Sequence, residues 1–285
     1  MSSSDKIALV TGATAGIGLE TARGIAKTGA TVVIVGRDQA KCQRIVAELK
    51  AATRNEKIEF LVADLFSLAA IRRLAEDFKS KYSRLDVLVN NAGAIFDQRE
   101  TTVDGFEKTF ALNHLSYFLL TNLLLDMIKQ SVPARIVSVS SDAHNFAKDI
   151  DFDDLQFERK KFSAMRVYAQ SKLMNILFTY ELARKLAGTN VTANCLHPGV
   201  VASNFADNTG GILKIAAWFF KNTFAITAAK GAEASVYLAT SPDVEGVTEK
   251  YFDNKREKQS SKISYDVETQ KRLWEASEKA VGQKF

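Results

Sequence analysis

The chain has 285 residues and a formal net charge of +5 at pH 7, and 46% of its residues are hydrophobic, as in an ordinary globular protein. Cys42 and Cys195 are the only cysteines, which excludes a disulfide scaffold and a cysteine zinc site and fits a reducing compartment. Basic and acidic residues are interleaved along the chain, which argues against a nucleic-acid partner. No basic segment leads into a long apolar run, so we expect neither a signal peptide nor a membrane span, and a cytoplasmic protein.

Short β-branched segments alternate with longer segments of helical periodicity along the whole chain. Most of the short segments are apolar on both faces, which is typical of a parallel sheet covered by helices. The predicted strands are Ile7–Thr11, Thr31–Val35, Ile58–Val62, Val87–Val89, Arg135–Val139, Val191–Leu196 and Thr248–Phe252. The predicted helices include Leu19–Thr28, Leu68–Lys79, a buried helix over 111–128 and Val267–Val281. Without a linker in this alternation, we predict one α/β domain over residues 1–285, a doubly wound (Rossmann) parallel sheet flanked by helices.

A glycine-rich loop separates the first predicted strand from the first predicted helix. The loop reads Thr11-Gly12-Ala13-Thr14-Ala15-Gly16-Ile17-Gly18. Glycines let the backbone turn sharply and approach a pyrophosphate closely, and the positive end of the helix dipole favours an anion there. An ordinary strand-to-helix turn is the alternative, but the strand–loop–helix context favours a dinucleotide site.

This glycine spacing, Thr-Gly-x-x-x-Gly-x-Gly, resembles that of the short-chain dehydrogenase/reductase family. Further motifs follow in the family's order within residues 11–203: Asn90-Asn91-Ala92-Gly93, Asn113, Ser140-Ser141, the Tyr168-x-x-x-Lys172 pair and Pro198-Gly199. Arg37 and the segments Ser141-Asp142-Ala143-His144 and His197-Pro198-Gly199 make the chain most similar to the retinol-dehydrogenase-like branch. The resemblance implies a nicotinamide-dependent oxidoreductase.

The end of the second predicted strand indicates which nicotinamide cofactor binds. NAD-preferring members of the family carry an acid at the strand tip, where this chain has Gly36 followed by Arg37. A guanidinium can pair with a 2′-phosphate, so we predict NADP(H). We interpret Asp38 as the cap of a helix that starts near Gln39. Asp64 would either bind the adenine amino group, as the resemblance implies, or cap a helix before Ser67. The predicted cofactor-binding residues are Gly12, Thr14, Gly16, Ile17, Gly18, Arg37, Asp64, Leu65, Asn91, Ala92, Gly93, Tyr168, Lys172, Pro198, Gly199, Val201 and Ser203.

Tyr168 and Lys172 lie four positions apart and would therefore share one face of a helix. The resemblance implies that Tyr168 exchanges a proton with the substrate oxygen, aided by the Lys172 ammonium and an oxidised nicotinamide, which both favour the phenolate. It also implies that Ser141 polarises that oxygen, that Lys172 binds the nicotinamide ribose, and that Asn113 holds a proton-relaying water. Ser140 is then a structural residue at the strand end. No metal site is predicted, because the three histidines lack ligand spacing.

The substrate-binding segment is predicted at about 203–225, where Gly210-Gly211 precedes an apolar stretch over 212–221. That stretch would be a pocket lid, a peripheral membrane contact or a core helix. We expect Asp149 to Phe157 to form a surface insertion whose carboxylates face solvent, and His144 either to touch substrate or to be structural. Pairing into a homo-oligomer stays open.

These features together predict an NADP(H)-dependent enzyme that interconverts a carbonyl and an alcohol on a hydrophobic retinal-, steroid- or lipid-aldehyde-like substrate. A C=C reductase of the protochlorophyllide-reductase kind is one alternative, although that family carries cysteine where this chain has Met174. A non-catalytic NADP(H)-sensing scaffold is another, although such a protein would be expected to have lost part of the Ser141, Tyr168 and Lys172 set.

Overall fold

The described part of the chain forms a central sheet of eight strands in the order β3-β2-β1-β4-β5-β6-β7-β8. A computed structural model describes residues 5–199 and 226–285. The first seven strands pair in parallel, and β8 pairs antiparallel with β7. The strands are β1 (Ile7–Thr11), β2 (Thr31–Gly36), β3 (Ile58–Val62), β4 (Val87–Asn90), β5 (Ala134–Val139), β6 (Val191–His197), β7 (Lys250–Asp253) and β8 (Arg256–Glu257).

Helices cover both faces of the sheet. The described helices are α1 (Gly16–Ala26), α2 (Gln39–Thr53), α3 (Leu68–Lys81), α4, α5 (Ala164–Lys185), α6 (Ala228–Thr240) and α7 (Val267–Val281). Helix α4 begins with the α-helical turn Lys108–Phe110, passes through the π-helical turn Ala111–Leu115 and continues as the α-helix Ser116–Gln130. Helices α1, α2 and α6 contribute to one apolar core, and α3, α4, α5 and α7 contribute to the other.

The predicted doubly wound fold is confirmed, with strand bounds that differ from the predicted ones by no more than a few residues. Doubly buried strands such as β4 and β1 explain the apolar segments, since both of their faces are covered. Helix α1 starts earlier than the predicted Leu19, because its first turn is the end of the glycine loop and carries no apolar periodicity. Strand β8 was not predicted; its two exposed residues carry no strand pattern.

The topology brings the predicted site segments to the carboxyl edge of the sheet. The strand order reverses between β1 and β4, which are hydrogen-bonded neighbours. In doubly wound sheets, ligands bind in the crevice outside the carboxyl ends of the strands at this reversal. The glycine loop follows β1, Asn91 follows β4 and Ser141 lies just beyond β5, so three predicted segments reach one edge.

The C-terminal helix α7 packs on α4 and α5. Trp274 of α7 meets Phe118 edge-on at 4.9 Å between ring centroids and stacks on Phe178 at 6.0 Å. His114 and Ser277 are joined by a buried 2.8 Å hydrogen bond. This aromatic packing holds the outer face of the two helices that carry Asn113 and Tyr168. Within residues 5–199 and 226–285, no helix is long and apolar enough to cross a membrane.

Candidate active site

The glycine loop is shaped by backbone conformations and contacts that exclude side chains. Gly12 and Gly16 have φ values of +64° and +57°, in the left-handed region that favours glycine. A Cβ atom on Gly12 would lie 2.8 Å from the Cα of Ala92. One on Gly18 would collide with the side-chain amide of Asn91 and the Gly12 carbonyl. The loop is therefore packed directly against the segment that follows β4.

Thr11 and Asn91 tie the two strand ends together. The Thr11 hydroxyl accepts hydrogen bonds from the backbone amides of Asn91 (2.9 Å) and Ala92 (3.1 Å). Asn91 in turn donates from its side chain to the Thr11 carbonyl at 2.8 Å. Thr11 stands at the start of the glycine motif, and the sequence pattern alone indicates no role for it. The sequence feature that could have indicated this role is the position of Thr11 at the end of a buried strand, where its hydroxyl can hydrogen-bond to the neighbouring strand.

The N-terminus of α1 offers uncapped backbone amides to a ligand. Its N-cap residue, Ala15, makes no side-chain capping hydrogen bond, and the first turn contains no acid. In contrast, α2 is capped by Asp38 and α3 by Ser67. Free amides at the positive end of a helix favour an anion. The loop therefore fits the pyrophosphate of a dinucleotide.

The residues predicted at the adenosine end have separate functions. Gly36 ends β2, and Arg37 is an exposed residue directly beyond it. Asp38 caps α2, as predicted, by accepting from the Lys41 amide at 2.9 Å. Asp64 is exposed and accepts from the Phe66 amide at 3.1 Å, whereas the cap of α3 itself is Ser67. Arg37 and Asp64 thus both lie just past strand ends at the carboxyl edge.

Asn113 joins the segment after β4 to α5. It lies in the π-helical turn of α4 and is fully buried. Its Oδ1 accepts from the Ala94 amide at 2.9 Å, and its Nδ2 donates to the Ala94 carbonyl and to Ser171 Oγ, both at 3.0 Å. Both side-chain N–H groups are therefore engaged by protein. The water-holding role implied for Asn113 stays a prediction.

Lys172 is buried beside the glycine of the Asn-Asn-Ala-Gly motif. Its Nζ donates to the Val139 carbonyl at 3.0 Å and lies 5.6 Å from the ring centroid of Tyr168. A Cβ atom on Gly93 would lie 3.4 Å from this Nζ and 3.2 Å from Asn113 Oδ1, so glycine lets both side chains approach. Burial lowers the pKa of Lys172 to about 7.

Tyr168 and Ser141 are joined by a side-chain hydrogen bond. Burial raises the pKa of the Tyr168 phenol, and the hydrogen bond with Ser141 opposes that change. The expected lowering of the phenol pKa by Lys172 is not found in the protein alone: burial raises the pKa of Tyr168 and, by lowering the pKa of Lys172, favours the uncharged amine beside it. At neutral pH, Tyr168 therefore holds its proton and can donate it.

The surroundings of Tyr168 are apolar. Ile95, Ala164 and Tyr168 form a small buried cluster that is separate from the two main cores. Ala143 and Phe162 pack against it and are partly exposed. The phenol therefore lies between a polar inner side, which carries Ser141 and Lys172, and an apolar outer side.

Neighbouring polar groups hold the catalytic segment in place. Ser140 is structural, as predicted: it is buried and donates to the Lys172 carbonyl at 2.7 Å. His144 lies 2.7 Å from the Ser141 carbonyl through Nδ1 and accepts from the Ser261 amide through Nε2. Both ring nitrogens are engaged and burial lowers the pKa of His144, so the structural alternative holds. His197 accepts from the Asp142 amide at 3.1 Å.

The segment from Asp149 to Phe157 follows only in part the expectation that its carboxylates face solvent: Asp149 and Asp153 are exposed, as expected, but the other two acids are not. Asp154 is only 5% exposed, and its carboxylate accepts backbone hydrogen bonds from Glu158, Arg159 and Lys160. These bonds satisfy the carboxylate and close the loop around it, which the run of acids in the sequence did not indicate. Asp151 is half-buried and pairs with Lys160 at 2.7 Å.

Pro198 and Gly199 lie directly after β6, at the same edge as the other motifs. Gly199 has φ +85°, and a Cβ there would lie 2.6 Å from Ile226 Cδ1. Val201, Ser203 and the predicted substrate segment at 203–225 lie outside the described residues. No metal-ligand cluster occurs in the described part of the chain.

Comparison with known proteins gives one consistent family. The family model for short chain dehydrogenase matches residues 6–150. Retinol dehydrogenase 13 of Mus musculus is 42% identical over 281 residues, which cover 97% of this chain and 84% of that protein. Polyprenol dehydrogenase of Homo sapiens is 41% identical over 279 residues, which cover 96% and 84%. These matches confirm the resemblance, including the retinol-dehydrogenase-like branch.

Solved structures share the fold. An uncharacterized protein from Mycobacterium paratuberculosis has a TM-score of 0.79 at 31% identity, covering 99% of this chain and 95% of that one. The Pseudomonas aeruginosa RhlG/NADP active-site complex has a TM-score of 0.68 at 28% identity, covering 87% and 93%. A short chain dehydrogenase from Burkholderia cenocepacia in complex with NADP has a TM-score of 0.68 at 25% identity, covering 87% and 95%.

Proposed function

The chain belongs to the short-chain dehydrogenase family, and from that premise we propose that it is an NADP(H)-dependent oxidoreductase that interconverts a carbonyl and an alcohol on a hydrophobic substrate. The observation that carries this proposal is the meeting of Ser141, Tyr168 and buried Lys172 at the carboxyl edge of the sheet. When bound, the cofactor supplies or accepts the hydride.

Tyr168 would exchange the proton in this reaction. Because burial keeps the phenol protonated at neutral pH, Tyr168 is ready to protonate a substrate oxygen in the reducing direction. Ser141 would donate a second hydrogen bond to the same oxygen. Lys172, with a pKa of about 7, can take up and release a proton near neutral pH and so return one to Tyr168. It would also bind the nicotinamide ribose.

NADP(H) is favoured by the charges at the end of β2. No acid is available at Gly36, and the exposed guanidinium of Arg37 follows directly. A guanidinium pairs with phosphate through charge-assisted hydrogen bonds. The NADP complexes of the structural relatives from Pseudomonas aeruginosa and Burkholderia cenocepacia support the same choice.

A hydrophobic substrate is favoured by the apolar cluster at Tyr168. Ala143 and Phe162 leave part of their apolar surface exposed beside the phenol. Ser141 caps a short 3₁₀-helix, Asp142–Phe146, whose last residue Phe146 is 74% exposed, and Met165 at the start of α5 is 46% exposed. The names of the relatives, retinol dehydrogenase and polyprenol dehydrogenase, refer to long isoprenoid alcohols. We propose a substrate of this class, an isoprenoid or similarly apolar alcohol or its aldehyde.

The proposal is tested by following NADPH oxidation with retinal, a farnesyl-type aldehyde and a small polar aldehyde such as glyceraldehyde. We expect turnover of the apolar aldehydes with conversion to the alcohols. Tyr168→Phe should lower kcat by about a thousandfold or more while NADPH still binds, because the proton donor is lost. Tyr180→Phe, which removes a buried phenol elsewhere on α5, is the matched control.

Three outcomes would contradict parts of this proposal. Reduction of a C=C bond with the aldehyde intact would replace carbonyl chemistry with the alternative reductase reaction. Tight NADPH binding without turnover of any substrate would favour a sensing scaffold. Equal losses in Tyr168→Phe and Tyr180→Phe would remove Tyr168 from the proposed proton step.

A further inference from the structure

Position 36 is glycine for a reason different from that of the glycines in the loop. Gly36 is the last residue of β2 and pairs in register with Val62 of β3. Its φ lies outside the left-handed region, unlike those of Gly12 and Gly16. The backbone at this position would therefore accept any residue. What excludes a side chain must be the space around it.

Two side chains occupy that space. A Cβ atom on Gly36 would lie 2.5 Å from Thr14 Cγ2 and 2.7 Å from Cys42 Sγ, closer than the 3.0 Å below which real Cβ contacts essentially never occur. The next atom, Thr14 Cβ, would lie at an ordinary 3.7 Å. The obstruction is thus limited to one methyl group and one sulfur atom.

Both obstructing residues are held in place. Cys42 is completely buried in the first turns of α2, where its backbone amide donates to the Asp38 carbonyl at 3.0 Å. Thr14 follows Ala13, whose amide donates to the Val35 carbonyl at 3.2 Å. The glycine loop is therefore bonded to β2 just before Gly36, and α2 starts two residues after Gly36 with its first turn closed. Cys42 is completely buried, so close-packed neighbours leave its sulfur little room to turn away from Gly36.

We propose that Thr14 and Cys42 are specificity-determining residues for the cofactor, because together they close position 36 to every side chain. A carboxylate at this strand end would accept hydrogen bonds from the ribose hydroxyls of NAD and repel a 2′-phosphate. While Thr14 Cγ2 and Cys42 Sγ are present, that carboxylate has no room. The inference rests on the proposed NADP(H) function and adds the residues that enforce it.

The test combines Gly36→Asp with removal of the two obstructing atoms. Thr14→Ser removes only the methyl group and keeps the hydroxyl, and Cys42→Ala removes only the sulfur. Four proteins are compared: the natural chain, Gly36→Asp, the Thr14→Ser/Cys42→Ala double variant and the triple variant. For each, the Tm is measured without cofactor, and the Kd values of NADPH and NADH are measured by fluorescence titration.

We expect Gly36→Asp alone to lower the Tm by about 5 °C or more, because the added side chain overpacks a position that Thr14 and Cys42 already fill. The same substitution should lower the Tm much less in the double variant, because the methyl group and the sulfur atom are absent there. The triple variant should then lower the ratio of the NADH Kd to the NADPH Kd by about tenfold or more relative to the double variant. Asparagine has the size of aspartate without its charge. Gly36→Asn should therefore lower the Tm as much as Gly36→Asp does in each chain, but leave the ratio of the NADH and NADPH Kd values nearly unaltered.

An unchanged Tm for Gly36→Asp in the natural chain would overturn the proposal, since position 36 would then be open. So would an unaltered Kd ratio in a folded triple variant. Should the aspartate variants not fold, Gly36→Ala in the natural and double-variant chains tests the obstruction from Tm alone. Equal affinity of the natural chain for NADPH and NADH would instead refute the proposed cofactor preference, while the Tm series would still report on the obstruction.

Discussion

The glycine loop and the tyrosine–lysine face of α5 reach the same edge of the sheet, yet one is made of backbone and the other of buried side chains. In the loop, positive φ values and the contact of Gly12 with Ala92 leave free amides at the start of α1. On α5, Lys172 is only 3% exposed, and Tyr168 is also buried. The loop therefore depends on the absence of side chains, and the α5 face depends on side chains held away from water.

This difference predicts which change each region tolerates least. A single methyl group added to the loop should lower the free energy of unfolding, because the close-packed backbone around it has no room to shift. The α5 face should instead respond to pH, because burial changes the pKa values of Tyr168 and Lys172. The four predictions below test this contrast, beginning with the largest expected effect.

Gly12→Ala should lower the free energy of unfolding by about 3 kcal/mol or more, since it combines backbone strain with a clash. The matched control is Gly105→Ala, because Gly105 has φ +82° but nothing within 4 Å of an added Cβ. Strain alone should cost about 1–2 kcal/mol there. Urea unfolding of both variants measures the difference. Equal losses would mean that close packing against Ala92 contributes nothing.

Lys172→Met should change the pH dependence of stability. Burial lowers the pKa of Lys172 from 10.5 to about 7, so between these values the unfolded chain binds more protons than the folded one. The natural chain should therefore gain stability relative to the variant as the pH rises through this window, by about 1.4 kcal/mol per pH unit. Below the window the difference should be constant.

Urea unfolding of both proteins without cofactor at several pH values from neutral to alkaline measures this slope. Lys79→Met, which removes an exposed lysine of α3, is the control and should run parallel to the natural chain. Parallel curves for Lys172→Met as well would show that the buried amine does not titrate in this window.

Arg37→Ala should weaken NADPH binding by about 10- to 100-fold and leave NADH binding nearly unchanged, because only NADPH presents a 2′-phosphate. Arg44→Ala removes another exposed arginine, on α2, and serves as the control for the general loss of positive charge. Fluorescence titration gives all the Kd values. Equal losses of affinity for NADPH and NADH would contradict the assignment of Arg37 to the 2′-phosphate.

Asp38→Ala should have the smallest effect, a loss of about 1 kcal/mol of unfolding free energy, because the hydrogen bond to the Lys41 amide is lost from the start of α2. Asp38→Asn keeps an acceptor and should lose less. The ratio of the NADPH and NADH Kd values should not change in either variant. A changed ratio would mean that Asp38 contacts the cofactor.

Much of the site could be predicted because its residues lie at strand ends that the apolar pattern marks. Gly12, Asn91 and Ser141 follow three predicted strands, and parallel strands bring their carboxyl ends to one edge. The Tyr168 and Lys172 spacing was sufficient to place both on one helix face. Local pattern and topology together thus determined which residues meet, although the substrate segment lies outside the described residues.

What surrounds each residue could not be predicted from the same pattern. Asp154 looked like one more exposed acid, but a loop closes around its carboxylate. The Lys172 ammonium was expected to lower the pKa of Tyr168, yet burial raises it. The cost of burying a charge depends on atoms contributed by α4, β5 and the segment after β4, which are distant in sequence.

The sequence by itself determined the order of the strands and helices, which follows from periodicity along the chain. It also determined the motifs that carry the family resemblance, and that resemblance named the residues expected at the carboxyl edge. Only the tertiary structure decided that Gly36 is enclosed by Thr14 and Cys42 and that Lys172 is buried against the Val139 carbonyl. The physical reason is that free volume and dielectric environment are set by neighbours in space, and a linear sequence does not name them.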